Sequence, residues 1–145
     1  MARRLQKNPP SKVKGYAFRL RPHEDLKKSI LQFAKTNKLK AGAILSAVGS
    51  LEQINIRFAN QPNGTIRSGF FEIVSLTGTF SEESCHVHIC VSDSNGHATG
   101  GHLLDENLIY TTAEIVIVNL DDLKFERVTD STYNYKELVV RRLKR

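Results

Sequence analysis

The chain predicts an α+β fold, an antiparallel sheet of about seven strands packed with one main amphipathic helix. Three observations lead there. Apolar and polar residues alternate along most of the sequence, the period of two that marks a half-buried strand. One segment alone, HEDLKKSILQFAKTNKL, carries the helical period. Short turns rich in glycine, asparagine and proline separate the extended runs, and such connections favour antiparallel neighbours.

The elements follow in order. Residues 16–20 read as a strand. After Arg21-Pro22, residues Leu26, Ile30, Phe33, Ala34 and Asn37 recur at helical spacing, with Glu24 and Asp25 placed in a first turn where the helix dipole favours anions. The period gives about four turns. AILSAVGS and LEQINIRFA are two extended runs around Gly49, NQPNG is a turn, and GFFEIVSLTGTF is a long run broken at Gly78. CHVHICV, HATGGHLL, AEIVIVNL and LKFERV complete the set. There is no internal repeat.

The 145 residues, 40% of them hydrophobic, suit one domain able to bury a core. The net charge of +6 is concentrated at the ends. Residues 1–15 hold five basic side chains and no acidic one; residues 136–145 hold five basic and one acidic. The body between them is mildly acidic. The expected division is a basic N-terminal tail at 1–15, a domain at 16–138 and a basic C-terminal tail at 139–145. No apolar run reaches the roughly 18 residues of a membrane span, and the basic N-terminus has no apolar segment behind it. An intracellular protein is expected, cytoplasmic rather than nuclear, with no membrane association. The two cysteines, Cys85 and Cys90, fall in one strand where a mutual disulfide is awkward, and are expected as free thiols.

Four of the five histidines lie in CHVHICVSDSNGHATGGHLL. In the strand CHVHICV, Val87, Ile89 and Val91 share a face with Cys85 and belong to the core, which leaves His86, His88 and Cys90 on the other. The turn decides where His102 falls. A two-residue Asn95-Gly96 hairpin sets His102 opposite Ile89, on the wrong side. A three-residue loop with Gly96 left-handed pairs Asp93 with His97 and sets His88 opposite His102. That register brings His86, His88 and His102 to one face. It also gives Gly100 and Gly101 a purpose, since they remove side chains beside the cluster and let a ligand or a neighbouring chain approach the backbone. Three neutral imidazoles from adjacent strands suit zinc or another borderline divalent ion with one open position. The competing reading is a set of polar histidines hydrogen-bonded on a solvated or subunit-facing sheet. His23 and His97 lie outside the group.

The motifs HEDL, SAVGSL, GFFEIVSLTGTF, HVHICVSDSNGHATGGHL and AEIVI, in this order, resemble the plant and prokaryote conserved (PPC) domain family, of the stand-alone histidine-containing type. The resemblance implies an antiparallel sheet packed with a helix and a homotrimer. In plants the domain accompanies AT-hook DNA-binding motifs, but this sequence has no Arg-Gly-Arg-Pro core, and Phe70 stands where the plant motif has arginine. The PPC fold is in turn similar to that of acetolactate decarboxylase, which holds zinc through a His-x-His pair and a third histidine. That analogy implies a metal-dependent lyase or hydrolase, with Glu114 moving a proton and Arg57, Arg67 or Arg127 binding an acidic substrate.

Two functions are therefore expected to compete. One is a trimer that binds a divalent metal through three histidines and acts on or senses a small metabolite. The alternative is a DNA-binding or regulatory protein that meets phosphates through its basic ends.

Overall fold

The computed structural model describes residues 10–144. The elements run β1 (Val13–Leu20), α1 (Leu26–Thr36), β2 (Gly42–Arg57), β3 (Thr65–Phe80), β4 (Cys85–Asp93), β5 (Ala98–Leu103), β6 (Leu108–Leu120), β7 (Leu123–Thr129) and β8 (Lys136–Arg142). Six strands form an antiparallel sheet ordered β1-β6-β2-β3-β4-β5, and β7 with β8 makes a separate hairpin. β5 also returns to the end of β2, through Ile56 opposite Leu103 and Arg57 opposite His102. Strands β2, β3, β4 and β5 thereby close on one another.

The alternation legible in the sequence sorts the faces. Ile54, Ile56, Leu76, Val87, Ile89, Val91 and Leu103 point into one apolar cluster shared with Leu26, Ile30 and Ala34 of the helix. Phe33 lies outside that row and stacks on Phe18 of β1, ring centroids 4.1 Å apart. The helix therefore packs its buried row against the apolar face of the sheet and reaches β1 through Phe33.

Several boundaries differ from the sequence expectation, each for a physical reason. The helix has three turns rather than four. Asp25 is its N-cap, accepting from the Lys28 amide at 2.9 Å, so Glu24 and Asp25 precede the first turn instead of occupying it. Asn37 caps the other end, its side-chain amide donating to the Phe33 carbonyl, and Lys38 turns the chain in the left-handed region at φ 54°. The two runs around Gly49 are one strand, β2, whose pairing shifts at irregularities instead of ending. β3 likewise continues through Gly78. At the ends, β1 begins at Val13, and residues 139–142, expected in a tail, belong to β8. Residues 1–9 of the expected N-terminal tail, and residue 145, lie outside the described residues.

The cap has a second duty. The other oxygen of Asp25 accepts from the Glu106 amide at 2.6 Å, joining the helix start to the loop before β6. Asp25→Ala is expected to lose about 1–2 kcal/mol, the usual worth of a cap, and to melt a few degrees lower in calorimetry. Asp25→Asn keeps one acceptor and should recover only the share due to the cap, because its amide nitrogen cannot accept from Glu106. An alanine variant as stable as the parent would deny the cap its role.

Candidate metal centre

The loop between β4 and β5 sets the site. Gly96 takes φ 79°, its amide donates to the Asp93 carbonyl, and Asp93 pairs with His97. The Asp93 carboxylate accepts from the amides of Asn95 and His97, both at 2.9 Å, which holds its pKa below the usual carboxylate value. This is the three-residue loop, and in its register His88 faces His102 across the ladder. Gly100 and Gly101 serve the strands of the chain itself. A Cβ at Gly100 would lie 2.6 Å from the Ile89 carbonyl oxygen, and one at Gly101 would lie 2.6 Å from that of Arg57. Their missing side chains let β5 fit closely between β4 and β2.

His86, His88 and His102 each bring one ring nitrogen within 4.8 Å of the others. The Nε2 atoms of His86 and His88 are 3.2 Å apart. Two nitrogens bound tetrahedrally at metal distances of about 2.0–2.1 Å are separated by roughly 3.3 Å, so this pair already stands at ligand spacing. Nδ1 of His102 is buried with no hydrogen-bond partner among the described residues. An unsatisfied buried nitrogen is costly unless something binds the ring or its proton. The donor set fits zinc or a similar borderline ion. Cys90, on the same face, pairs with Gly100 and falls outside the cluster.

Electrostatics keep two of the rings neutral. Burial first, then the Arg57 charge and the neighbouring imidazoles, lower the His102 pKa to about 4. His86 is lowered by burial, then by Arg127 and His88. Neutral imidazole is the form that binds a metal. A pH dependence follows. Between about 4 and 6.5 the unfolded chain protonates His102 and the folded chain does not, so the metal-free protein loses stability as pH falls through that window. Denaturant titrations of chelated protein should show the fall, and His102→Gln should make it shallower. Identical pH profiles for parent and variant would contradict the shift.

A cavity of about 620 Å³ opens beside the cluster, lined by Arg57, Cys85, His86, His102, Arg127 and Glu137 among others. Arg57 reaches it because it pairs with His102 across the β2–β5 closure. Arg127 comes from β7, donating to Thr79 Oγ1 at 2.8 Å and lying 3.4 Å from His86 Nδ1. The other two expected residues are elsewhere. Arg67 sits over the Phe58 ring on a different surface, and Glu114 faces Arg19 and Val48 on β6. Neither lines this cavity. Glu83 and Glu137 do line it and carried no sequence signal: Glu83 precedes β4, and Glu137 lay at the edge of an expected tail. A groove of similar volume runs between β1 and α1, but its Asp25 is already spent on the helix cap.

The model of the Plants and Prokaryotes Conserved (PCC) domain matches residues 8–121. Bifunctional protein GlmU of a Synechococcus strain is 41% identical over 133 residues, 92% of this chain and 21% of that protein. The chain thus spans about a fifth of the length of the curated relatives it matches. A hypothetical protein from Salmonella is 34% identical with a TM-score of 0.91, covering 94% of this chain and 99% of that one. A metal-containing protein from Archaeoglobus fulgidus is 25% identical with a TM-score of 0.77, covering 92% and 99%. A candidate DNA-binding protein from Bacteroides thetaiotaomicron, 22% identical with a TM-score of 0.73 over 92% and 99%, shares the fold.

Proposed function

The chain belongs to the Plants and Prokaryotes Conserved (PCC) domain family, and we propose that it works as a homotrimer in which His86, His88 and His102 hold one zinc or similar divalent ion and the adjoining cavity takes a small metabolite. The carrying observation is the cluster itself, two Nε2 atoms 3.2 Å apart with a third nitrogen within 4.8 Å. Bound there, the ion supplies a Lewis acid for an oxygen of the metabolite. The chain does the rest. Burial and cationic neighbours hold His86 and His102 neutral, Thr79 fixes Arg127 at the rim, and the closure of β5 on β2 holds Arg57 beside His102. The metal-containing Archaeoglobus relative supports the reading.

Support for the trimer comes from the outer face of β6, β2 and β3. Leu45, Val48, Phe70, Val74 and Tyr110 are exposed there, and the Phe70 and Tyr110 rings lie 4.7 Å apart. Such a face fits a subunit contact. Among the described residues of the basic ends, Lys14 pairs with Asp121 and Arg141 with Glu126. Among the described residues no helix is long and apolar enough to cross a membrane.

The test is elemental analysis of tag-free protein joined to sedimentation velocity. About one zinc or similar ion per chain in a species of three chains is expected. Protein that takes up no metal from added Zn²⁺ would end the metal reading, and a monomer would end the trimer.

A further inference from the structure

We propose that the β7–β8 hairpin makes the histidine face a receptor for a small organic oxyanion, held between Arg127 and Arg57 with one oxygen turned toward the metal. This deepens the metal reading above and rests on it for the placement of that oxygen. The family match ends at residue 121, and the hairpin begins at Leu123. The hairpin nevertheless brings Arg127, Tyr135, Lys136 and Glu137 to the cavity. With these residues in place, His86 and His102 line a cavity of about 620 Å³, within the usual range for small-molecule sites.

The charge of the lining names the ligand. Arg57, Arg127 and Lys136 stand against Glu83 and Glu137, before any metal adds its two positive charges. Neither arginine has an ion-pair partner among the described residues, whereas Lys124 and Arg141 of the same hairpin share Glu126. Arg57 donates to the Gln61 carbonyl at a long 3.4 Å, and Arg127 is fixed at Thr79 by a bond of 2.8 Å. Guanidinium groups are donors only, built for the paired oxygens of a carboxylate or phosphate.

The metal and the oxyanion are coupled through Arg127. Its Nη1 lies 3.4 Å from Nδ1 of His86, an arrangement that needs a lone pair on Nδ1. An imidazole that gives Nε2 to a metal carries its proton on Nδ1, where a second donor cannot bond. A metal held at Nε2 of His86 would therefore free Nη1 for another acceptor, with Nη2 still on Thr79.

Calorimetric titration tests this with oxalate and inorganic phosphate as probes and uncharged oxamide as control. Zinc-loaded and metal-free protein would be compared for the parent chain, Arg57→Gln and Arg127→Gln, with zinc content measured before and after. At least one anion should bind, more tightly to the loaded form, and each substitution should weaken it about tenfold or more. Oxalate against phosphate distinguishes a carboxylate ligand from a phosphate one. Anions that bind neither form, or that ignore both substitutions, overturn the proposal. Arginine-dependent binding in a chain that takes no zinc would keep the oxyanion site and remove the metal reading, and zinc loading with arginine-indifferent anions would do the reverse.

Discussion

His88→Ala is expected to abolish metal loading while the chain remains folded. The two effects separate because His88 points away from the core. Its strand neighbours Val87 and Ile89 are buried, whereas its own ring is exposed and lies against those of the other two histidines. Truncating an exposed side chain of this kind costs at most about 0.5 kcal/mol of stability. Metal affinity behaves differently. Loss of a residue that merely supports a ligand already costs about 10–100-fold, and loss of one ligand in three should exceed that. Elemental analysis should fall from about one ion per chain to nearly none, with the melting temperature of the chelated protein almost unchanged. Full metal retention in His88→Ala would mean that the three rings are polar neighbours on a sheet. A similar loss is expected for His86→Ala, although there Arg127 also loses its contact at Nδ1.

A large stability effect should come from Gly78→Ala. Gly78 has φ 155°, a backbone conformation that residues with a Cβ rarely adopt. A Cβ added there would lie 2.1 Å from the His86 carbonyl oxygen and 2.6 Å from the Val87 Cα, both backbone atoms that no side-chain rotation can clear. Gly78 pairs with Val87, so relief would have to come from parting β3 and β4 beside His86. Strain of this kind costs about 3 kcal/mol. For a chain of this size that lowers the melting point by roughly 6–12 °C. Because β4 carries two of the three histidines, metal affinity should fall with it. Gly15→Ala is the matched control: nothing lies within 4 Å of a Cβ at Gly15. Equal melting points for the two variants would show that β3 and β4 are less tightly joined than this register requires.

The histidine face was legible because strand alternation is a local property. Val87, Ile89 and Val91 announce a buried face, and His86 and His88 then follow on the other. The position of His102 was legible because loop length fixes hairpin register and Gly96 identifies the loop type. What failed to show was long-range or charged. β8 has the burial pattern of a strand with neither face covered, and its sequence KELVVRR has charges at both ends, so a basic tail was the natural reading. Which arginine reaches the site was equally hidden. Arg57 and Arg67 both lie on long strands, and only the return of β5 to the end of β2 separates them. Glu114 looked eligible because it follows the hairpin closely in sequence, but β6 runs on the opposite side of β2 from β3 and β4. The helix comes out shorter than expected because Asp25 is its cap rather than part of its first turn, and because Asn37 ends it although the apolar Leu39 follows.

The loop at Ser94, Asn95 and Gly96 imposes an arithmetic on descent. Side chains alternate along β5, so one residue gained or lost in the loop, with the ladder sliding to match, would turn His102 inward and Leu103 outward. Two residues would restore the parity. Insertions and deletions that slide the ladder are therefore sorted by odd and even, and a lineage that retains the triad after an odd change must absorb it in a longer or shorter loop with the pairing kept.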